Sequence, residues 1–596
     1  MWFFCFLSSI ACLVLAILLA FALKNNKLTK KRKISAFHCL LIGVFVASLF
    51  MFFPIHQLSA DPTVGGIWRA ILLSLFNSMQ IFALGCEFNV VFESIGFCPE
   101  WLSLSYQVLA AALFVLAPVF TFGFMLSLFK NITAYLKFIS TPKKEVFVFS
   151  ELNVRSLTLA KDIKKNRNNS LIVFTDVFED NDENVYEMID ESKNIGAVCF
   201  KKDILVIDFN KHSGKRPISF FVIGENEGEN LNQSLKLIEN YKKREDTHIF
   251  IFSKKIEGEL LLNSVDKGFV KVRRINEVHS LINRVLYDQG NLLFDSALPL
   301  NNGKKKISAV VVGMGRHGTE MTRALTWFCQ MDGYTIEINA FDKDPLAEDK
   351  FCALVPELMS EKYNGVYKQG EPEYKISVHS GLNVETKSFA DAISAIGDAT
   401  YVFVALGNDD VNINTAVMLR MYFERMKIHP VIQAIVYNSQ QKKALKGIKN
   451  YRGQEYDIEF IGDTESSYTE KVIIDSELEE DALRRHLKWG KEEDFWTYEY
   501  NYRSSMASAI HMKARIKCNI PGANKKTEEL TEEERDSIEV LEHCRWNAYM
   551  RSEGYVYSGS KDKQSRNDLG KMHHALVDFS ALCDEEKRKD SEVGAK

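Results

Sequence analysis

Paired cysteines, metal-binding clusters and an excess of either charge are all missing from this 596-residue sequence. Its 11 cysteines stand apart, at positions 5, 12, 39, 86, 98, 199, 329, 352, 518, 544 and 583, and no C-x-x-C occurs. No Cys/His spacing suits zinc, so no metal is expected. Scattered thiols read as free cysteines in a reducing compartment, not as a disulfide framework. The net charge of −4 provides no electrostatic case for direct nucleic-acid binding. No paired nucleophile and base, and no positioned acid, marks a catalytic constellation. The expectation is a protein that is not an enzyme.

What is present is a sharp asymmetry. The first 130 or so residues are membrane-like, and the remainder is rich in Lys, Glu and Asp. Residues 2–23 form an apolar run long enough to span a bilayer. The run lacks a basic flank before it and a small-residue cleavage site, so it reads as an anchor. Lys24, Lys27, Lys30, Lys31, Arg32 and Lys33 follow it, which argues that this loop is cytoplasmic. A second span covers 34–53 and ends at Pro54. Another covers 102–129, flanked by Lys130, Lys137, Lys143 and Lys144.

Between them, 67–91 is apolar but carries Arg69, Asn77, Gln80 and Glu87. A full crossing there conflicts with two cytoplasmic basic flanks. Two arrangements stay open for the 1–140 region: a re-entrant or interfacial segment with three spans, or four spans with both ends cytoplasmic. Polar groups at membrane depth face a bundle interior or water. Asn77, Gln80 and Glu87 therefore read either as a cavity lining or as helix–helix hydrogen bonds. Thr63-Val64-Gly65-Gly66 resembles part of a potassium filter, but too few residues precede it to form a pore helix.

The centre of the cytosolic part is 310–325, VVVGMGRHGTEMTRAL. A β-branched apolar run leads into Gly313, Gly315 and Gly318, and helical spacing follows. Gly313 permits a tight turn, Gly315 admits a phosphate to the backbone, and Gly318 lets helix and strand pack closely. The free N–H groups of the helix start, with Arg316 and His317 in its first turn, would face the anion. A second strand ends in Asp342 and Asp344, where an acid would hold a ribose hydroxyl. Further strands are read at 377–380, 401–406 and 430–437. Asn408 and Asp409, after the fourth strand, are ligand candidates or helix caps. This predicts a Rossmann-like domain over 303–465.

Before it, strands at 145–150, 171–175, 197–200, 218–223 and 248–252 alternate with helical stretches. A second parallel-sheet α/β unit over 143–300 is expected. Its first turn, SELNVRS, has no glycine, so close phosphate approach is not expected there.

Two tandem units of this kind after a membrane bundle resemble the RCK, or TrkA-N, type of regulatory domain of potassium channels and transporters. The resemblance covers roughly 143–463 and rests on Gly313, Gly315, Gly318 and Asp342. It implies binding of NAD(H), ATP or another nucleotide that gates the membrane part. Towards the C-terminus, VLEHCRWNAYMRSEGY at 540–555 and KMHHALVDFSAL at 571–582 resemble the RyR (ryanodine receptor repeat) domain, through Glu542, His543, Arg545, Trp546, Gly554 and Tyr555, then Lys571, His573, Leu576 and Phe579. The helical stretch 496–517, with Arg503, Ser504, Ser505, His511 and Lys513, agrees with it. This predicts an all-α module over 491–585.

In that module Arg545 and Lys571 are expected to face outward, with Trp546 either in a small core or stacked on a base. His543, Arg545, Trp546, Lys571 and His573 are the candidate ligand contacts. The tail 583–596 reads as charged and frayed.

The expected fold class is an N-terminal α-helical transmembrane bundle, two α/β Rossmann-like domains with parallel sheets, and a C-terminal all-α RyR-like module. The combination resembles membrane effectors of nucleotide-based immune signalling. That implies a ligand-gated effector or channel-like protein in anti-phage defence. A regulator of potassium transport responding to NAD(H), and a Rossmann-based oxidoreductase, are the other readings. The expected partners are a lipid bilayer, a nucleotide-type ligand and further copies of the chain in a homo-oligomer. The expected location is the inner (plasma) membrane, multi-pass, with a cytoplasmic C-terminal region.

Overall fold

The computed structural model describes residues 1–25, 31–85, 89–96, 98–141, 145–177, 183–210 and 216–595. The chain divides into two compact units, Met1–Phe138 and Ile139–Lys596.

The first unit is helical: α1 (Trp2–Asn25), α2 (Lys31–Leu58), α3 (Val64–Phe82), the short α4 (Asn89–Ser94) and α5 (Glu100–Ser140). Three stretches are long and apolar enough to cross a membrane: Trp2–Leu19, Cys39–Leu58 and Glu100–Phe122. Pro54 lies inside α2 and does not end it, contrary to the sequence reading. The fourth candidate, read as one segment over 67–91, is a 19-residue helix that stops at Phe82. Thr63 is its N-cap, and the side chain accepts the Gly66 N–H. The TVGG stretch is thus a helix start.

Helix α3 buries a stripe of mostly small residues, Gly66, Ala70, Ser74, Ser78 and Ile81, and packs against α2. Small side chains let two backbones approach closely, as in membrane helix pairs. Its large side chains, such as Trp68, Leu72, Phe76 and Met79, point outward. Asn77 sits 2.9 Å from the His56 ring of α2, so one of the three polar candidates joins two helices. Gln80 is half-buried, and Glu87 lies outside the described residues. Helix α1 meets α2 in the same small-residue manner. A Cβ on Gly43 would collide with Ala16, and the Ser9 hydroxyl donates to the Ala47 carbonyl at 2.8 Å.

The second unit holds two six-membered parallel arrays. The first runs β1 (Glu145–Phe149), β2 (Ser170–Phe174), β3 (Val198–Cys199), β4 (Ile218–Val222), β5 (Thr247–Phe252) and β6 (Lys271–Ile275), in spatial order β3-β2-β1-β4-β5-β6. Its described connecting helices include α6 (Val154–Asn166), α7 (Glu183–Asn194), α8 (Glu227–Tyr241), α9 (Ile256–Asn263) and α10 (Glu277–Gln289).

The second array repeats the order with β7 (Lys305–Val312), β8 (Tyr334–Phe341), β9 (Tyr374–His379), β10 (Tyr401–Val404), β11 (Val431–Ile435) and β12 (Ile458–Ile461). A two-residue strand, Leu298–Pro299, pairs antiparallel with β7. Its helices include α11 (Arg316–Phe328), α12 (Ala347–Leu354), α13 (Lys387–Ala395) and α14 (Asp409–Arg425). The order 3-2-1-4-5-6 is that of the doubly wound dinucleotide-binding fold. Phe149, Phe174, Phe221 and Phe250 stack through the first sheet's core, and Val310, Val312, Val402 and Val404 fill one face of the second.

The sequence reading missed the edge strands β6 and β12. KVRRI carries two arginines that no isolated strand pattern accommodates. The C-terminal helices supply their partners. Arg273 pairs with Glu479, donates to the Ile474 carbonyl and sits between the Phe250 and Trp496 rings. Arg274 pairs with Glu499. Side-chain cover of this kind protects an edge strand.

The longer C-terminal helices are α15 (Glu477–His486), α16 (Glu499–Lys517), α17 (Glu532–Ser552) and α18 (Asp584–Gly594), with the short helix Glu492–Thr497 before α16. The region is helical but not purely so: β13 (Val556–Tyr557) and β14 (Met572–His573) pair in parallel. Met506, Ile510, Ala548 and Met550 share one hydrophobic cluster with Leu325 and Phe328 of α11, so these helices are built into the second α/β domain. The tail expected to fray is α18. Val593, Gly594 and Ala595 accept hydrogen bonds from Arg485 and Arg515, and Ala595 is fully buried.

Gly43→Leu is expected to force α1 from α2 and to destabilise the helical unit by roughly 1–3 kcal/mol, the usual cost of overpacking. Thermal unfolding of the detergent-solubilised full-length protein checks this. An unchanged midpoint would show that the two helices do not pack through Gly43.

Candidate functional site

The turn between β7 and α11 has the geometry that the three glycines predict. Gly313 has φ +95° and faces the Ala405 carbonyl, which a Cβ would strike. A side chain on Gly318 would collide with the Gly313 carbonyl. Gly315, the N-cap of α11, has open space where its Cβ would stand. Two glycines are therefore demanded by packing, and the third leaves room above the helix start. That start is followed by 13 helical residues, whose free N–H groups favour an anion.

Asp342 follows β8 as expected, and its carboxylate is already engaged. One oxygen accepts the Met314 N–H at 2.6 Å, and the other accepts the Asp344 N–H at 2.8 Å. Asp342 thus braces the turn from the side. Asp344 accepts the Leu346 N–H and pairs with Lys350. Arg316 is exposed beside the turn. Asn408 is a helix cap, accepting the Val411 N–H at 3.1 Å. Asp409 accepts the Tyr437 and Asn438 N–H groups at 3.0 and 2.9 Å. Both of these side chains hold backbone at the strand ends.

His317, in the first turn of α11, leads to a feature that sequence reasoning missed. It lines a half-open cleft of about 300 Å³ between the two α/β domains. Phe252 and Ile275, at the ends of β5 and β6, form one side; Tyr437 and Gly462, beyond β11 and β12, form the other. The Tyr437 hydroxyl lies 3.4 Å from the His317 ring. Arg155, Lys254 and Arg284 bring positive charge, and Glu277 is the acid among them. Glu277 is held by Arg155 at 3.0 Å, by Lys254 at 2.6 Å and by the Tyr468 hydroxyl. Burial raises its carboxyl and the two cations outweigh that, so it stays below the ordinary range. Ligands of open α/β sheets bind beyond the strand C-termini, and here two such edges face each other. No local motif announces the site, because its wall residues come from loops some 300 positions apart.

On the other side of α11, Glu320 and Arg323 enter a partly buried ion network. Arg323 bonds Glu320 at 2.8 Å and Glu553 at 2.7 Å, and Arg503 bonds Glu553 at 2.8 Å. His279 of α10 lies 3.4 Å from Glu320. Burial would raise the Glu320 carboxyl, but His279 and Arg323 hold it far below the usual carboxylate range. The helix that opens at the glycine turn is thereby tied to α10, α16 and the end of α17.

The C-terminal candidates fall differently from expectation. Arg545 does not face outward: it is 1 % exposed and bonds Glu542 at 2.6 Å. Trp546 is the half-buried one. The two are adjacent on α17, so turning one inward turns the other towards the rim. His543 bonds the Val577 carbonyl at 2.8 Å and lies 3.3 Å from Asp590. His573 accepts the Ala575 N–H at 3.1 Å. His543, Arg545, Trp546 and His573 share the wall of a second cavity, of about 280 Å³. Lys571 is not on it; its ammonium donates to the Glu553 carbonyl at 2.7 Å, at the end of α17.

Burial, helped by Lys254, lowers the His317 pKa to about 4. Burial and Arg566 lower that of His573 to about 4 as well. Unfolded histidine titrates near 6.5. Between the two values the unfolded chain binds more protons, so stability falls as pH drops from about 6.5 towards 4. His317→Gln is expected to blunt that loss by about 1 kcal/mol, allowing for partial solvent screening. Melting midpoints of wild type and variant at pH 7 and pH 5 check this. Equal acid losses would show His317 to be freely solvated.

No family model and no curated protein matches the chain. Among solved structures, a mutant of GsuK is similar at 12 % sequence identity and a TM-score of 0.32, covering 74 % of this chain and 96 % of that one.

Proposed function

We propose that the chain is a ligand-gated membrane protein of the inner membrane. In this reading a nucleotide sits with its phosphate on the Gly313–Gly318 turn, and part of the ligand reaches the cavity between the two α/β domains. The observation that carries this is the position of His317. It belongs to the first turn of α11 and also lines the cleft whose other wall the first domain supplies. A ligand extending from the turn therefore touches both domains and is sensitive to their separation, as a gating ligand must be.

The reading is one of binding, not catalysis. The acid nearest the turn, Asp342, engages both oxygens with backbone N–H groups and serves as a brace. NAD(H) is the first candidate, because the positive cavity wall suits a second phosphate or a carboxamide end. The response would act on the helical unit of a homo-oligomer, with Asn77 and Gln80 among the polar groups that respond. Two settings fit such a device, defence signalling and control of potassium transport. A neighbouring gene for a nucleotide-signal synthase or for a potassium permease would separate them.

The full-length protein in detergent is expected to gain several degrees of thermal stability with NAD(H) or another nucleotide. Gly315→Val should abolish the gain while leaving the apo midpoint unchanged, since its Cβ meets open space. A wild-type protein that no mono- or dinucleotide stabilises would sink the reading. In liposomes, the same ligand should change ion leakage, and Gln80→Leu should alter that change; a bilayer that stays tight with and without ligand would leave the helices as a passive anchor.

A further inference from the structure

The cavity among the C-terminal helices is lined by Arg545, Arg566 and Lys589 and by the carboxylates Glu542, Glu586 and Asp590, with Arg485 and Arg515 behind the wall. Arg485, Arg515 and Arg545 gather around one carboxylate, Glu542, which bonds Arg515 at 2.5 Å and Arg545 at 2.6 Å. Burial would raise the Glu542 carboxyl, but Arg545 and Arg515 hold it at about 2. Arg485 and Arg515 find further partners in Ser508, His511 and the last carbonyls of α18, where the helix end carries partial negative charge.

Arg545 has no such provision. It is almost wholly buried, and its Nε and Nη1 have no hydrogen-bond partner among the described residues. Buried guanidinium N–H groups are costly to leave unpaired. The remaining carboxylates on the wall have partners of their own. Glu586 bonds Lys589 at 2.8 Å, and Asp590 faces His543. Arg566, which also lines the cavity, pairs with Asp568 at 2.9 Å. Aromatic surface completes the wall: Trp546 lies edge-on to His573 at 4.9 Å, with Tyr500 nearby.

We propose that this cavity binds a phosphorylated nucleoside, with the phosphate on Arg545 and the base against Trp546 and His573. At about 280 Å³, it lies at the small end of ligand cavities, which run from roughly 300 to 1,000 Å³. The size favours a mononucleotide over a dinucleotide. The site is separate from the glycine turn and stands whether or not that turn is occupied.

The test uses full-length protein in detergent carrying Gly315→Val, so that the turn contributes nothing. AMP, UMP, adenosine and inorganic phosphate are titrated by calorimetry, with Arg545→Lys and Trp546→Leu added to that background. AMP or UMP is expected to bind at least tenfold more tightly than adenosine or phosphate. Arg545→Lys should weaken it by roughly ten- to a hundredfold, the loss of one charge-assisted bond. Trp546→Leu should weaken it about tenfold, as loss of one stacked ring does. No binding of either nucleotide, or phosphate binding as tightly as the nucleotide, overturns the proposal. Should Arg545→Lys fail to fold, Trp546→Leu decides: undiminished nucleotide binding overturns the assignment. None of these outcomes depends on the dinucleotide stabilisation expected of the glycine turn in the unsubstituted protein.

Discussion

A mostly buried set of charges, Glu320 and Arg323 on α11, Arg503 on α16 and Glu553 at the end of α17, joins the glycine-turn helix to the C-terminal helices. Each is paired within the set. Removing one partner of a buried pair leaves an uncompensated charge and costs about 3–5 kcal/mol. The network therefore fixes where the C-terminal helices sit on the glycine-turn helix. Its side chains are 12–21 % exposed, so the network is only partly shielded from water. Any shift of α11 by a ligand must be followed by α16 and α17 or else break these pairs.

The same economy of partners explains the edge strand β6. Its arginines would be a poor choice for a strand exposed to solvent on one edge and apolar on its faces. With Glu479 and Glu499 brought over them, they seal the first sheet and join it to the C-terminal helices. The arginines at 485 and 515 do the same with backbone: they anchor the last carbonyls of α18, so a highly charged tail becomes a packed helix. Charge in this unit is used to hold elements in place, and Arg545 is one of the buried guanidinium groups that lack a full set of partners among the described residues.

The helical unit follows other rules. Its contacts run through small residues, Gly43 against Ala16 and the Gly66–Ala70–Ser74–Ser78 stripe. Its polar links are single bonds such as Asn77 to His56. Contacts of this type permit close approach with little directional locking.

Both parallel sheets and the glycine turn were open to reading from local pattern. A β-branched run and an amphipathic helix are set by neighbours in sequence, and Gly318 is crowded by Gly313 and Val311 close by, whereas Gly313 is crowded by the distant Ala405 and Leu406. What tertiary structure alone decided depends on partners far away. β6 and β12 became strands because the rest of the fold came to cover them. Arg545 turned inward and Trp546 outward because Glu542, Arg515 and α18 converge on one side of α17. The cavity at His317 exists because two sheets present their strand ends to each other. Sequence carries hydrophobic period and turn chemistry directly. Which charge meets which, across hundreds of residues, is settled only when the chain closes.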